Sequence, residues 1–345
     1  MDDLARKRAA LMSGTGDLRG VEEVADKIYR IGLSGDYSGL GRAVNCYLFD
    51  GSAPALVNAG HPAQRAELME GLTAIGVDRE RIDRVIATSW RADVLGGANA
   101  FAGADLFVCS PDMRQPRDYG RYIDERREGW EAMVEQLGDH EEAFESAAAA
   151  EAIDTYYDGS LRREWRVIPL DNGHRIRAGE YAFEVMRCGG PGPGHMALYD
   201  AEEELLMSGD LVMSGLPDRL EDTQAYLVSM ERIAELSSKW VLPNEGRCYR
   251  QGRWTVSRAA NFINNFLNNA PSALVRRPTV AEFVARDQGI DASDSVNMLK
   301  ACRRMERLLQ ELVRSRSVAA EGQGLERRYG IDVDDPRAEA RQTPG

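Results

Sequence analysis

The period of the apolar positions changes several times along this chain, and each change marks an element. Residues 26–33 (DKIYRIGL) alternate apolar and polar side chains, as a half-buried strand does. Apolar runs at 44–49 and 55–58 predict two further strands, separated by the turn formers Asp50, Gly51, Ser52 and Pro54. Over 62–75 the spacing becomes helical, with Ala66, Leu68, Met69, Leu72 and Ile75 on one face. A short buried strand is predicted at 85–88, a helix start at 97–101 and a strand at 105–109. Residues 112–160 are rich in acids and arginines and poor in branched aliphatics, which predicts a helical insertion, either a solvated hairpin or a lid. Strand patterns return at 165–170, 181–187, 196–199, 204–207 and 240–242, with a helix over 222–236. Helical spacing then holds over 256–268, 280–286 and 295–313, and 331–345 has the composition of a flexible tail. Two strand–helix halves joined by the insertion suggest two sheets packed face to face with helices outside.

Composition narrows the class. The chain has 345 residues, 43% hydrophobic and 29% charged, with no apolar run long enough to cross a membrane. The first residues have mixed charge and no apolar stretch, so no secretory signal is expected. The five cysteines are widely spaced without a CxxC pair, which fits a reduced, cytoplasmic protein better than a disulfide framework. The net charge is -13, with acids in excess over 1–250 and bases in excess over 251–330. An acidic body repels phosphates and argues against general nucleic-acid binding. Only four histidines are present, His61, His140, His174 and His195, and that shortage shapes the chemistry.

Six ordered segments resemble the metallo-β-lactamase fold superfamily. Val44-Asn45-Cys46-Tyr47-Leu48 is similar to its early strand, and Leu56-Val57-Asn58-Ala59-Gly60 lies where an Asp-Thr-Gly is usual. Residues 86–97 (IATSWRADVLGG) lie where the family has Thr-His-x-His-x-Asp-His-x-Gly-Gly. Residues 189–195 (GGPGPGH) resemble its Pro-Gly-His-Thr-Pro-Gly-His, Met207-Ser208-Gly209-Asp210 its Ser-Gly-Asp, and residues 242–246 (LPNEG) its closing Pro-Gly-His-Gly. The resemblance implies an α+β fold, a four-layer αββα sandwich over 21–250 that carries the insertion 112–160, after an N-terminal segment 1–20. The region 251–330 resembles the winged-helix-like extension of several hydrolase members. Pro278-Thr279-Val280 opens its first helix, Thr279 acting as cap, and 305–318 leads towards a wing.

The family holds one or two zinc ions through imidazoles and aspartates, and the metal turns bound water into hydroxide. Matched position by position, this chain has Ser89, Arg91 and Val94 for the first three histidines, Pro191 for the fourth and Glu245 for the fifth. Asp93 and Asp210 remain, and His195 matches a histidine that is not a ligand. No metal and no cofactor is therefore expected. Arg91 is permanently cationic and is expected near Asp93, Asp210 and Glu245. It either replaces the metal's charge in a working pocket or simply neutralises leftover acids.

Three functions remain open. The first is a small molecule or partner bound in the former pocket, lined by Ser89, Trp90, Arg91, Cys188 and His195. The second is a metal-independent enzyme that hydrolyses or cyclises an ester, thioester or lactone, with Asp93, Asp210 or Glu245 as acid or base. The third is nucleic-acid binding through Arg303, Arg304, Arg307, Arg314 and Arg316, a series interrupted by Glu306 and Glu311. A Cys188–His195 nucleophile pair is weighed against an inert buried thiol. His61 reads as a surface or helix-entry histidine, and a homodimer is left open.

Overall fold

Strand β3 (Val44–Phe49) is buried at every position, which accounts for its unbroken apolar run. Its alternate side chains serve two cores. Val44, Cys46 and Leu48 face helices, whereas Tyr47 and Phe49 face a second sheet. The chain is described by a computed structural model over residues 20–35, 37–109, 119–141, 143–157, 166–192, 194–213, 220–291, 293–315 and 318–330. The expectations for 1–19, 112–118, 158–160, Arg316 and 331–345 lie outside these residues.

Seven strands form the first sheet in sequence order: β1 (Gly20–Ala25), β2 (Ile28–Leu33), β3, β4 (Ala55–Val57), β5 (Arg84–Ala87), β6 (Asp105–Cys109) and β7 (Val167–Leu170). Pairing is antiparallel from β1 to β4 and parallel from β4 to β7. The second sheet has the order β12 (Trp240–Pro243), β11 (Leu205–Gly209), β10 (Met196–Asp200), β9 (Tyr181–Arg187), β8 (Arg175–Ala178). In it β11 and β12 pair in parallel and the rest are antiparallel. Between the sheets Phe49 meets Phe183 edge to face at 5.3 Å, within an apolar core that draws side chains from both.

Helix α1 (Arg65–Ile75) covers the first sheet through Leu68 and Leu72. A single turn, α2 (Ala92–Leu95), runs into the 3-10 segment Gly96–Ala100, so the helix expected at 97–101 starts earlier and tightens. The insertion forms α3 (Tyr119–His140) and α4 (Ser146–Tyr156). It sits between β6 and β7 of one sheet, not between two halves. Helix α5 (Thr223–Ala234) follows β11, and α6 (Gly252–Ala273), α7 (Val280–Gln288) and α8 (Ser295–Arg314) follow β12. Thr279 caps α7 in a reciprocal pair with Glu282. Helix α8 packs on both insertion helices, and Glu145 N–H donates to Ser295 Oγ at 2.6 Å. After α8 a two-stranded ribbon, β13 (Ala319–Glu321) and β14 (Arg328–Gly330), closes the described chain.

Candidate functional site

The parallel strands β4, β5, β11 and β12 send their carboxyl ends to one place. Each then delivers a polar residue: Asn58, Thr88, Asp210 and Asn244. Ligand sites of open α/β sheets form at such ends, because the crevice there is left uncovered by the strands themselves. Here the four residues are buried and joined. Thr88 Oγ1 donates to Asn58 Oδ1 at 2.9 Å, and Asn58 Nδ2 donates to Asn244 Oδ1 at 2.7 Å. Asn244 Nδ2 donates to Thr88 Oγ1 at 3.0 Å and to Asp210 Oδ1 at 2.8 Å. Asn58 has φ 61°, in the left-handed region that asparagine tolerates better than most side chains.

Arg91 sits at the centre of the charges. It is the residue before α2, and that turn carries Asp93 beneath it. Its Nε donates to Asp93 Oδ1 at 2.8 Å and its Nη2 to Asp93 Oδ2, a bidentate pair. Nη1 lies 2.9 Å from Asp210 Oδ2, and Nη2 lies 3.6 Å from Glu245 Oε1. Glu245 is also paired with Arg42. Two guanidinium groups thus stand among three carboxylates, in a place where Asp93 and Asp210 are almost wholly shielded from water.

That environment sets the protonation states. Burial opposes the charge of Arg91, but Asp210, Asp93 and then Glu245 outweigh it and hold its pKa well above the ordinary value. Burial also opposes ionised Asp210, yet Arg91, with Arg42 beyond it, prevails and the pKa falls. For Glu245 burial wins over Arg42 and Arg91, and its pKa rises. His195 is pushed down by burial. Its Nε2 accepts the Asp210 N–H at 2.9 Å while its Nδ1 faces the Cys188 carbonyl at 3.2 Å, the pattern of a neutral imidazole protonated at Nδ1. Gly209 (φ 58°) permits this approach, since a Cβ there would lie 2.4 Å from His195 Nε2.

Beside the network lies a narrow cleft of about 30 Å³. It is lined by Ser89, Trp90 and Arg91, by Tyr122, Arg126 and Trp130 of α3 with Tyr157, by Pro191, Gly192 and Glu221, and by Arg303 and Arg307 of α8. Trp90 is pinned by its Nε1–H, which donates to the Cys109 carbonyl at 3.2 Å.

The structure brings Arg91, Asp93, Asp210 and Glu245 together, and it puts Ser89 and Trp90 in the lining of the cleft. Cys188 and His195 do not belong to the described lining of the cleft. The Cys188 thiol is buried and pushed up to about 11 by that burial, and His195 addresses its carbonyl, not its sulfur. His61 enters the 3-10 turn Pro62–Gln64 as its cap and is buried, with Nε2 2.8 Å from the Tyr156 carbonyl. Sequence reasoning missed Arg42, Thr88 and Asn244 as site residues. Asn244 adjoins Glu245 in a segment already singled out, but nothing local marks Arg42 as a partner of a residue 203 positions away.

Among the described residues, no group of three or more His, Cys, Asp or Glu has metal-holding geometry. The donor set does not fit zinc. The carboxylates near Arg91 are engaged by guanidinium and amide donors, and the buried imidazole of His195 is turned to backbone groups.

A profile of the metallo-beta-lactamase superfamily matches residues 39–245. No curated protein matches in sequence. A metallo-beta-lactamase family protein from Thermus thermophilus superposes with TM-score 0.68 at 20% identity, covering 90% of this chain and 100% of that one. A beta-lactamase domain protein from Burkholderia ambifaria gives 0.67 at 17% identity, covering 92% and 96%. Both coverages exceed the span of the profile, so these likenesses take in part of the chain outside 39–245. A sec-alkylsulfatase from a Pseudomonas species gives 0.54 at 15% identity over 83% of this chain and 50% of that one. At such identities the likeness shows the fold alone. On the profile match over 39–245, this chain belongs to the metallo-beta-lactamase superfamily.

Proposed function

We propose that this protein works without zinc, and that it binds a small molecule in the cleft above Arg91. The observation that carries this reading is the guanidinium of Arg91. It engages Asp93 and Asp210 and reaches towards Glu245, the carboxylates that stand at the superfamily's ligand positions. A fixed cation there removes the mutual repulsion that a metal would otherwise relieve. The chain's own residues then do the binding: the cleft is lined by Ser89, Trp90 and Arg91, among others. Five free cysteines, four of them buried, support a reducing, cytoplasmic setting.

The test is a metal analysis joined to a thermal melt. Purified protein is expected to carry less than one equivalent of zinc, and EDTA to leave the melting temperature unchanged, since removing a metal bound only by the native state would lower it. Stoichiometric zinc at Asp93 and Asp210 would overturn the reading.

A second reading is favoured by the opposite shifts of Asp210 and Glu245. Two carboxylates pushed apart in pKa are the usual basis of paired acid and base roles. Glu245, a fifth exposed, would be the readier of the two to take up and pass on a proton, and Asp210 the readier to stay ionised. Ester, thioester or lactone turnover that survives EDTA and is lost in Glu245→Gln would favour it.

A further inference from the structure

We infer that the exposed face of α6 docks the folded protein onto the surface of an anionic phospholipid bilayer, independently of what the cleft binds. Helix α6 buries Val256, Ile263 and Ala270 against the body. The opposite face carries Trp254, Arg258 and Phe262, each one turn beyond the last, so that they form one stripe. Trp254 is 58% exposed and Phe262 49%. Two more large apolar side chains stay exposed among the described residues: Val275, just past the end of α6, and Val228 on α5, the helix that packs against α6. Every large apolar side chain described as exposed thus belongs to this pair of helices or to the turn that follows it.

The charge of the same segment is opposite to that of the chain, whose net charge is -13. No acid occurs between Glu245 and Glu282, whereas six arginines do. Arg277 is paired with Glu321. The other five, Arg247, Arg250, Arg253, Arg258 and Arg276, are exposed and make no ion pair among the described residues. Arg253 lies in the first turn of α6, where the helix dipole favours acids and none is present, so its charge does not serve the helix. Arg258 stacks 5.3 Å from the Trp254 ring centre and Arg250 4.6 Å from that of Trp240. A guanidinium stacked on a ring keeps its N–H edge for phosphate oxygens, and at the surface no side chain has to give way. The sign of the charge selects an anionic partner, and the acidic body, repelled by it, turns α6 inward. The apolar groups select a bilayer. Trp254 and Phe262 stand about 12 Å apart along the helix, with polar residues between them. Separate anchors of this kind suit a fluid interface, in which each ring settles at headgroup depth by itself. The exposed valines add to such a contact and offer nothing to a stacked base.

The experiment floats the full chain with vesicles of phosphatidylcholine alone and of phosphatidylcholine with about 30% phosphatidylserine, at low and high salt. Partition onto the anionic vesicles is expected to be at least about tenfold stronger than onto the neutral ones, and to weaken as salt is raised. Trp254→Ala should weaken it about tenfold, and Arg253→Gln and Arg258→Gln about fivefold each. Arg175→Gln, exposed on β8 of the second sheet, should bind like the parent. Tryptophan quenching by brominated lipid should fall sharply in Trp254→Ala, a change that loss of charge alone does not produce. All these positions are exposed, and a thermal melt of each variant confirms that it folds; Arg258→Gln decides the matter if Trp254→Ala does not. Absence of binding to the anionic vesicles, equal binding to both kinds, or parental binding in the folded Trp254 and Arg258 variants would overturn the inference. So would tight binding of poly-uridylate by a protein that ignores the vesicles, which would assign the face to nucleic acid. A dimer that Trp254→Ala dissolves, again without vesicle binding, would assign it to a second copy of the chain.

Discussion

Val57, Ile86, Met207 and Leu242 lie in the dry space between the sheets, while one to three residues further on Asn58, Thr88, Asp210 and Asn244 form a polar network. The same strands thus build two regions on opposite principles. In the dry region any apolar side chain of the right volume serves, and stability comes from area removed from water. At the strand ends each group is held by a named partner, and the loss of one strands the others without water. Proximity therefore says little about how a substitution will act. What matters is whether the neighbours left behind are apolar or charged.

The largest expected effect is at the charged end. Arg91→Ala should cost about 3–5 kcal/mol at neutral pH, because it leaves Asp93 and Asp210 buried beside each other. Without the guanidinium, the carboxylates of the folded variant have raised pKa values and bind protons more readily than the unfolded chain. The deficit should therefore shrink as pH falls into the carboxylate range. Urea denaturation of parent and variant at neutral and mildly acidic pH measures both; a midpoint unmoved at neutral pH would break the comparison.

Leu198→Ala, in the dry region on β10, should cost about 2–5 kcal/mol through lost transfer energy and a cavity. Its deficit should not vary with pH. A pH-dependent deficit there would mean that the two regions are coupled.

Asn244→Ala should cost about 1–3 kcal/mol, since Asp210 loses a donor and Asn58 an acceptor in a buried place. Equilibrium unfolding reads it, and a value near zero would show water taking over the lost bonds.

The smallest effect is expected from His195. Its folded pKa is depressed, so below about pH 6.5 the unfolded chain takes up a proton that the folded one refuses. Stability is complete above that range and is lost as pH falls through it, by at most about 1.4 kcal/mol per pH unit, until the folded pKa is reached. His195→Gln should remove this part of the acid sensitivity. A parental pH profile in that variant would assign the sensitivity elsewhere.

Much of the dry region is legible in the sequence, because burial on both faces leaves an unbroken apolar run, as at 44–49. The pattern does not predict β1 and β8: 20–25 (GVEEVA) and 175–178 (RIRA) keep only a few apolar positions, and pairing with neighbours makes them strands. The ribbon β13–β14 escapes the pattern for the same reason. The helical insertion is legible from composition, but not its place between two strands of one sheet.

At the site, the order of the six segments identified the family, and matching its ligand positions one by one put a permanent cation among the acids. The sequence by itself determined which side chains are able to ionise, which glycines free the backbone, and that imidazole is scarce. Only the tertiary structure decided which groups meet. Arg42 reaches Glu245, Asn58 reaches Asn244, and arginines of α8 close over an insertion far away in the chain. The physical reason is that apolar burial leaves a periodic trace in every strand that takes part. A charge–charge or amide–amide contact between distant segments leaves none, because its energy resides in a distance that exists only once the sheets have packed.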